Sequence, residues 1–145
     1  MYRFNLESLL NYRRYQEEIL QKELAEFKNQ LVEHEQHLRQ MKQARRKNSL
    51  ELHQRQKKGG TVSGLILYFR YLERLTADID KQKQRVVQTK KRFEQKRREL
   101  LEIVKKRKTL EKLKEKGFKT FEQQQLKKER NFLDEVAATH FSAKR

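Results

Sequence analysis

The sequence predicts an all-α fold: one long antiparallel two-helix coiled-coil hairpin whose second helix is the longer. Three observations predict it. Two stretches each carry an apolar seam whose spacings alternate three and four residues without a break. A glycine-bearing interruption separates them. The chain is 39% charged and 34% hydrophobic and has no Pro, Cys or Trp, the composition of a coiled coil and not of a globule. A seven-residue seam keeps facing one partner only if two helices wind about each other.

The first helix is expected over about residues 4–57. Its seam runs Leu6, Leu10, Arg13, Glu17, Leu20, Leu24, Phe27, Leu31, His34, Leu38, Met41, Arg45, Asn48, Leu52. The turn is expected over 58–64, where Gly59-Gly60 and then Gly64 interrupt helical propensity. The second helix is expected over about 65–140. Its seam runs Leu65, Tyr68, Leu72, Leu75, Ile79, Gln82, Val86, Thr89, Phe93, Lys96, Leu100, Ile103, Arg107, Leu110. The whole of 1–145 reads as a single coiled-coil domain, with its core in the seam.

Facing residues of an antiparallel pair have a constant sum of numbers. Leu52 with Leu72, Leu38 with Val86, Leu31 with Phe93 and Leu24 with Leu100 all sum to 124, which centres the hairpin on residue 62, inside the glycine break. This register sets Glu17 opposite Arg107 as an ion pair in the seam, and His34 opposite Thr89. Polar layers of this kind cost stability and help fix register.

The net charge is +17. Residues 1–64 carry 13 Lys/Arg against 8 Asp/Glu, and residues 65–145 carry 24 against 12, so the excess sits in the second helix. That bias calls for an acidic protein partner, nucleic acid or an anionic membrane surface, and the acidic protein partner is the favoured reading. A nucleic-acid partner is not expected. The basic run from Lys81 to Arg98 is spread round the helix, and no forked basic region or zinc module accompanies it. The absence of cysteine excludes disulfides and thiolate chemistry. No apolar run approaches the roughly 18 residues of a membrane span. The start, Met1-Tyr2-Arg3-Phe4, lacks the apolar core of a signal peptide. A cytosolic, soluble protein is therefore expected.

In this register the first helix is used up near residue 118 of the second. Residues 119–145 then extend past it, yet Leu126, Phe132, Leu133, Val136, Ala137 and Phe141 recur at helical spacings. An apolar stripe on such an overhang calls for a partner from elsewhere. Leu126, Phe132, Leu133 and Val136 are the candidate binding tip. Gly117 stands where a kink or an end of the continuous helix is expected.

No catalytic constellation is present. Gly59-Gly60 lacks the spacing of a phosphate-cradling loop. His34 and His37, with Glu33 or Glu35 beside them, lack a third convergent ligand, so His34 reads as a polar seam residue. The carboxylates read as lying on exposed helix faces, outside any enclosed site. The expectation is a non-enzyme without metal or cofactor.

The opening, Phe4-Asn5-Leu6-Glu7-Ser8-Leu9-Leu10-Asn11-Tyr12-Arg13, resembles the start of the FliJ family, coiled-coil proteins of the bacterial flagellar export apparatus. That family opens with a Phe-x-Leu-x-x-Leu-Leu-x-x-Arg type of pattern. Tyr68, Tyr71, Leu72, Glu73, Leu75 and Ile79 are similar to the aromatic-rich start of its second helix. The segment from Lys128 to Ala137 resembles its closing unit, with Leu133-Asp134-Glu135 followed by Val136-Ala137. The likeness spans the chain, with three motifs in order around one turn.

The resemblance implies an antiparallel coiled coil similar to the central stalk of rotary ATPases. Its partners would be a hexameric flagellar export ATPase, the cytoplasmic domain of the export gate membrane protein, and free export chaperones; the alternative is a basic nucleic-acid-binding coiled coil or the stalk of another secretion system. Its place would be the cytoplasm, at the inner-membrane export apparatus. Carried over by motif, the gate-contacting stripe falls on Tyr71, Leu75, Asp78 and Gln82. Family members can have a small residue where Asp78 stands and a basic or histidine-type residue where Gln82 stands. Leu75 and Gln82 also share the phase of the seam.

Overall fold

The computed structural model describes residues 1–143. Two helices account for nearly all of them: α1, Glu7–Lys58, and α2, Val62–Ala143. Among the described residues there is no strand. The fold is all-α, a helical hairpin with the longer helix second.

Charge at the ends of α1 complements its dipole. Glu7 lies in its first turn and Arg55, Lys57 and Lys58 in its last. The stop is made by Gly59, whose φ of 74° is a left-handed conformation that a side chain disfavours. Gly60 N–H then donates back to the Arg55 carbonyl at 3.2 Å, the six-to-one bond of a Schellman end. Thr61 starts α2 at once. Its Oγ1 accepts from Gly64 N–H at 3.2 Å and its carbonyl accepts from Leu65 N–H at 3.1 Å. Thus α2 begins at Val62, with Gly64 inside its first turn, and the turn centres on residue 60.

Two compact units are formed, each from lengths of both helices. The unit Ile19–Glu99 contains the turn. In it the order of contacts is antiparallel: the Arg55 guanidinium lies 4.8 Å over the Tyr68 ring, Gln82 bonds to His34, and Lys96 Nζ stands 2.9 Å from Glu23 Oε2. Every seam position of this unit, from Leu20 to Leu52 and from Leu65 to Lys96, is buried or half-buried. Ile79 is fully buried, with 0% of its surface exposed.

The other unit joins Met1–Glu18 to Leu100–Arg145. Leu10, at 0% exposure, Ile103 and Leu110 form its apolar centre. Leu6, read as the first seam residue, precedes α1 and stands exposed. Glu17 and Arg107 do meet: Arg107 Nε and Nη2 both donate to the Glu17 carboxylate, and Nη1 donates to Glu111 at 3.0 Å. The Glu17 bond, with that to Glu111 behind it, holds the Arg107 pKa above its usual value. Arg14 and Lys114 add contacts to Glu111 and Glu7 at 3.5 and 2.9 Å.

Inward positions continue past Leu110 through Lys114, Gly117 and Phe121, still four and three apart. Gly117 neither ends nor breaks α2. It makes room for the chain's second residue. A Cβ at 117 would lie 2.2 Å from the Tyr2 hydroxyl oxygen. The Tyr2 ring packs on Phe118 and Phe121 at 5.8 and 5.7 Å between centroids, and its hydroxyl donates to the Lys114 carbonyl at 3.4 Å.

Candidate partner-binding surfaces

The stripe expected near the start of α2 is divided by its periodicity. Tyr71 and Asp78 lie seven residues apart on the flank of the helix, and both are exposed. Leu75 and Gln82 lie in the seam. Leu75 is half-buried, and Gln82 is only 1% exposed.

Gln82 is fully engaged. Its Nε2 donates to the His34 carbonyl at 3.0 Å and lies 3.3 Å from His34 Nδ1, while its Oε1 accepts from Arg85 Nη1 at 3.3 Å. A buried amide with all these partners locks the two helices together at this layer. The 124 register sets Thr89 opposite His34; the structure gives it Gln82, seven residues earlier, in keeping with a turn that centres on residue 60 and not 62. Direct contact of Gln82 with another protein would require opening this layer.

Around Tyr71 the exposed face is apolar. Leu67, Tyr68 and Tyr71 line one shallow groove. Val62, Ile66 and Phe69 are exposed as well, three and four residues apart on another face of the same turns. Apolar exposure concentrated on the first turns of α2 is a partner-binding signature.

The second surface is the end of α2. Every residue from Glu122 to Ala143 is exposed. Leu126, Phe132 and Leu133 each show 64% of their surface, and Val136 is exposed beside them. Phe132, Glu135, Val136, Thr139, His140 and Ala143 line an open groove there. Of the overhang expected over 119–145, Lys144 and Arg145 lie outside the described residues. Phe121 still packs under Tyr2, so the overhang starts just beyond it.

The N-terminal aromatic lid escaped the sequence reading. A signal for it was present: Lys114, Gly117 and Phe121 keep the seam spacing after Leu110. Tyr2 itself lies outside any helix and follows no period.

Two features bear on chemistry. Among the described residues no group of three or more His, Cys, Asp or Glu side chains converges as a metal site. His34 turns into the seam toward Gln82, whereas His37 is exposed. Among the described residues no helix is long and apolar enough to cross a membrane.

One family model matches the chain. It is described as Flagellar FliJ protein and covers residues 2–145. No curated protein and no solved structure matches.

Proposed function

Because the chain belongs to the FliJ family, and so to the components of the flagellar export apparatus, we propose that it acts there as a non-enzymatic stalk. The end of α2 inserts in the hexameric export ATPase and promotes its assembly and activity. The start of α2 couples the ATPase to the export gate, and the same protein handles free export chaperones. It works in the cytoplasm, peripherally at the inner-membrane apparatus.

The observation that carries this reading is the exposed stripe Leu126, Phe132, Leu133, Val136 on the overhang of α2. Large apolar side chains on a helix end without cover are stable in water only at a cost that a partner removes. A ring of subunits is a suitable cover. One helix end cannot present the same face to six subunits at once, so its contacts differ among them and bias their states differently. No chemistry by the stalk is required.

For the gate contact, Tyr71, Asp78 and the outer edge of Leu75 supply the accessible surface. Gln82 holds the stripe in place through His34. Leu67 and Tyr68 extend the apolar part.

Phe132→Ser together with Leu133→Ser tests the tip. Both side chains are exposed, so circular dichroism should show unchanged helicity. Stimulation of the ATPase and retention on its ring should both be lost. A folded double variant that stimulates normally would remove the tip from the mechanism.

A further inference from the structure

The unit Ile19–Glu99 carries a strongly basic face that neither the tip nor the gate stripe uses. Residues 81–98 of α2 contain nine Lys/Arg and one acidic residue, Glu94. Two of the nine are neutralised: Lys96 by Glu23 and Glu99, and Arg97 by Glu94 at 3.9 Å. Among the described residues, Lys81, Lys83, Arg85, Lys90, Lys91, Arg92 and Arg98 pair with no carboxylate, and all seven are exposed.

Their placement follows from the seam. Val86, Thr89, Phe93 and Lys96 turn inward. At about 100° per residue, Lys91 and Arg98 then stand opposite the seam, on the outermost ridge. Lys83 and Lys90 flank one side of that ridge, and Lys81, Arg85 and Arg92 the other. Lys90, Lys91 and Arg98 line a shallow groove with Val87, Glu94 and Gln95.

We propose that this face is a peripheral docking site for an anionic lipid bilayer. Charge complementarity calls for an anionic partner, and the shape of the face selects a bilayer. A shaped protein interface gathers its energy in buried aromatic or apolar anchors. The outer face of 81–98 offers no aromatic residue, and Val87 is its one large apolar side chain. Readout of DNA by a helix rests on a groove-seated motif whose side chains reach base edges, and no forked basic region or zinc module accompanies this face. A charged leaflet needs neither an anchor nor a groove. It attracts long, solvated cations one by one, with about a fivefold gain in partition for each. A helix that cannot cross the bilayer is held at its surface in this way.

The test uses the full chain and sedimentation with vesicles. Vesicles of phosphatidylglycerol and phosphatidylcholine in equal parts should retain the protein; pure phosphatidylcholine should not. Lys90→Gln, Lys91→Gln and Arg98→Gln together should weaken retention by about a hundredfold, the product of three such factors. Arg39→Gln, Arg46→Gln and Lys47→Gln together make the same change of net charge on exposed α1 positions and should weaken it by less than about tenfold, because those side chains point away from the leaflet. Circular dichroism checks that both triple variants keep their helicity. Equal losses in the two variants would overturn the proposal, since net charge alone would explain them. So would equal retention on pure phosphatidylcholine. Retention of polyglutamate or a DNA duplex through the same three cations, with no retention on anionic vesicles, would overturn it in favour of a protein or nucleic-acid partner.

Discussion

Replacing Gly117 by Ala should reverse its usual sign depending on one residue 115 positions away. In an ordinary helix interior Gly→Ala stabilises by about 1 kcal/mol, because alanine surrenders less backbone entropy. Here the added Cβ would lie 2.2 Å from the Tyr2 hydroxyl oxygen, closer than any real contact. Tyr2 lies outside any helix, so its ring would swing out and not push α2 aside. That forfeits the ring contacts with Phe118 and Phe121. Such aromatic pairs contribute about 0.5–1.5 kcal/mol each. The hydroxyl's bond to Lys114, at 3.4 Å, adds little. The loss of about 1–3 kcal/mol offsets or exceeds the helical gain, so G117A should range from neutral to about 2 kcal/mol destabilising. In a Tyr2→Ala background there is nothing to displace, and the same change should stabilise by about 1 kcal/mol. The assay is a double-mutant cycle read by amide hydrogen exchange over Lys114–Phe121, since fraying at a helix-pair end can escape a global melt. Equal gains in protection from Gly117→Ala with and without Tyr2 would refute the lid.

Two further outcomes follow from the packing. Ile79→Ala should cost about 2–4 kcal/mol in urea denaturation, because Ile79 is fully buried, whereas Val87→Ala on the exposed face should stay within about 0.5 kcal/mol. The pairing of Lys96 should be lost only at alkaline pH. The ion pair with Glu23, then the bond to Glu99, raises its pKa above the usual lysine value. A raised folded pKa gives stability that is whole below the unfolded value of about 10.4 and is lost as pH rises through the folded one. The stability gap between the parent and Lys96→Met should therefore hold from neutral pH to about 10 and close above that; a gap that persists unchanged in strong alkali would contradict the pairing.

The seam was legible because burial follows a fixed period. All 20 seam positions of the unit Ile19–Glu99 face inward as the three-four spacing requires. The pairing of Glu17 with Arg107 was legible for the same reason, since opposite charges in one seam layer attract across it. The start of α2 was less so. Three glycines suggested a turn to residue 64, yet Thr61 is a good N-cap whose hydroxyl satisfies the Gly64 amide, and capping outweighed one glycine in the first turn. The partner of His34 depended on register: Gln82 lies seven residues, about 10 Å, before Thr89, too far for side-chain reach alone, and the turn at residue 60 in place of 62 moves earlier residues of α2 toward His34. Tyr2 was illegible because a non-helical residue obeys no periodicity. The candidate gate stripe shows the same limit. Spacing places Tyr71, Leu75, Asp78 and Gln82 near one another on a helix surface, and only the position of α1 divides them into two exposed and two inward-facing residues.

The most direct measurement of the central claim is site-specific photo-cross-linking to the purified export ATPase hexamer. A photoreactive side chain at Leu133, on the exposed end of α2, should give an adduct with the ATPase; one at Val32, also exposed on α1, should give none. An adduct from Val32 and none from Leu133 would place the contact elsewhere and contradict the account.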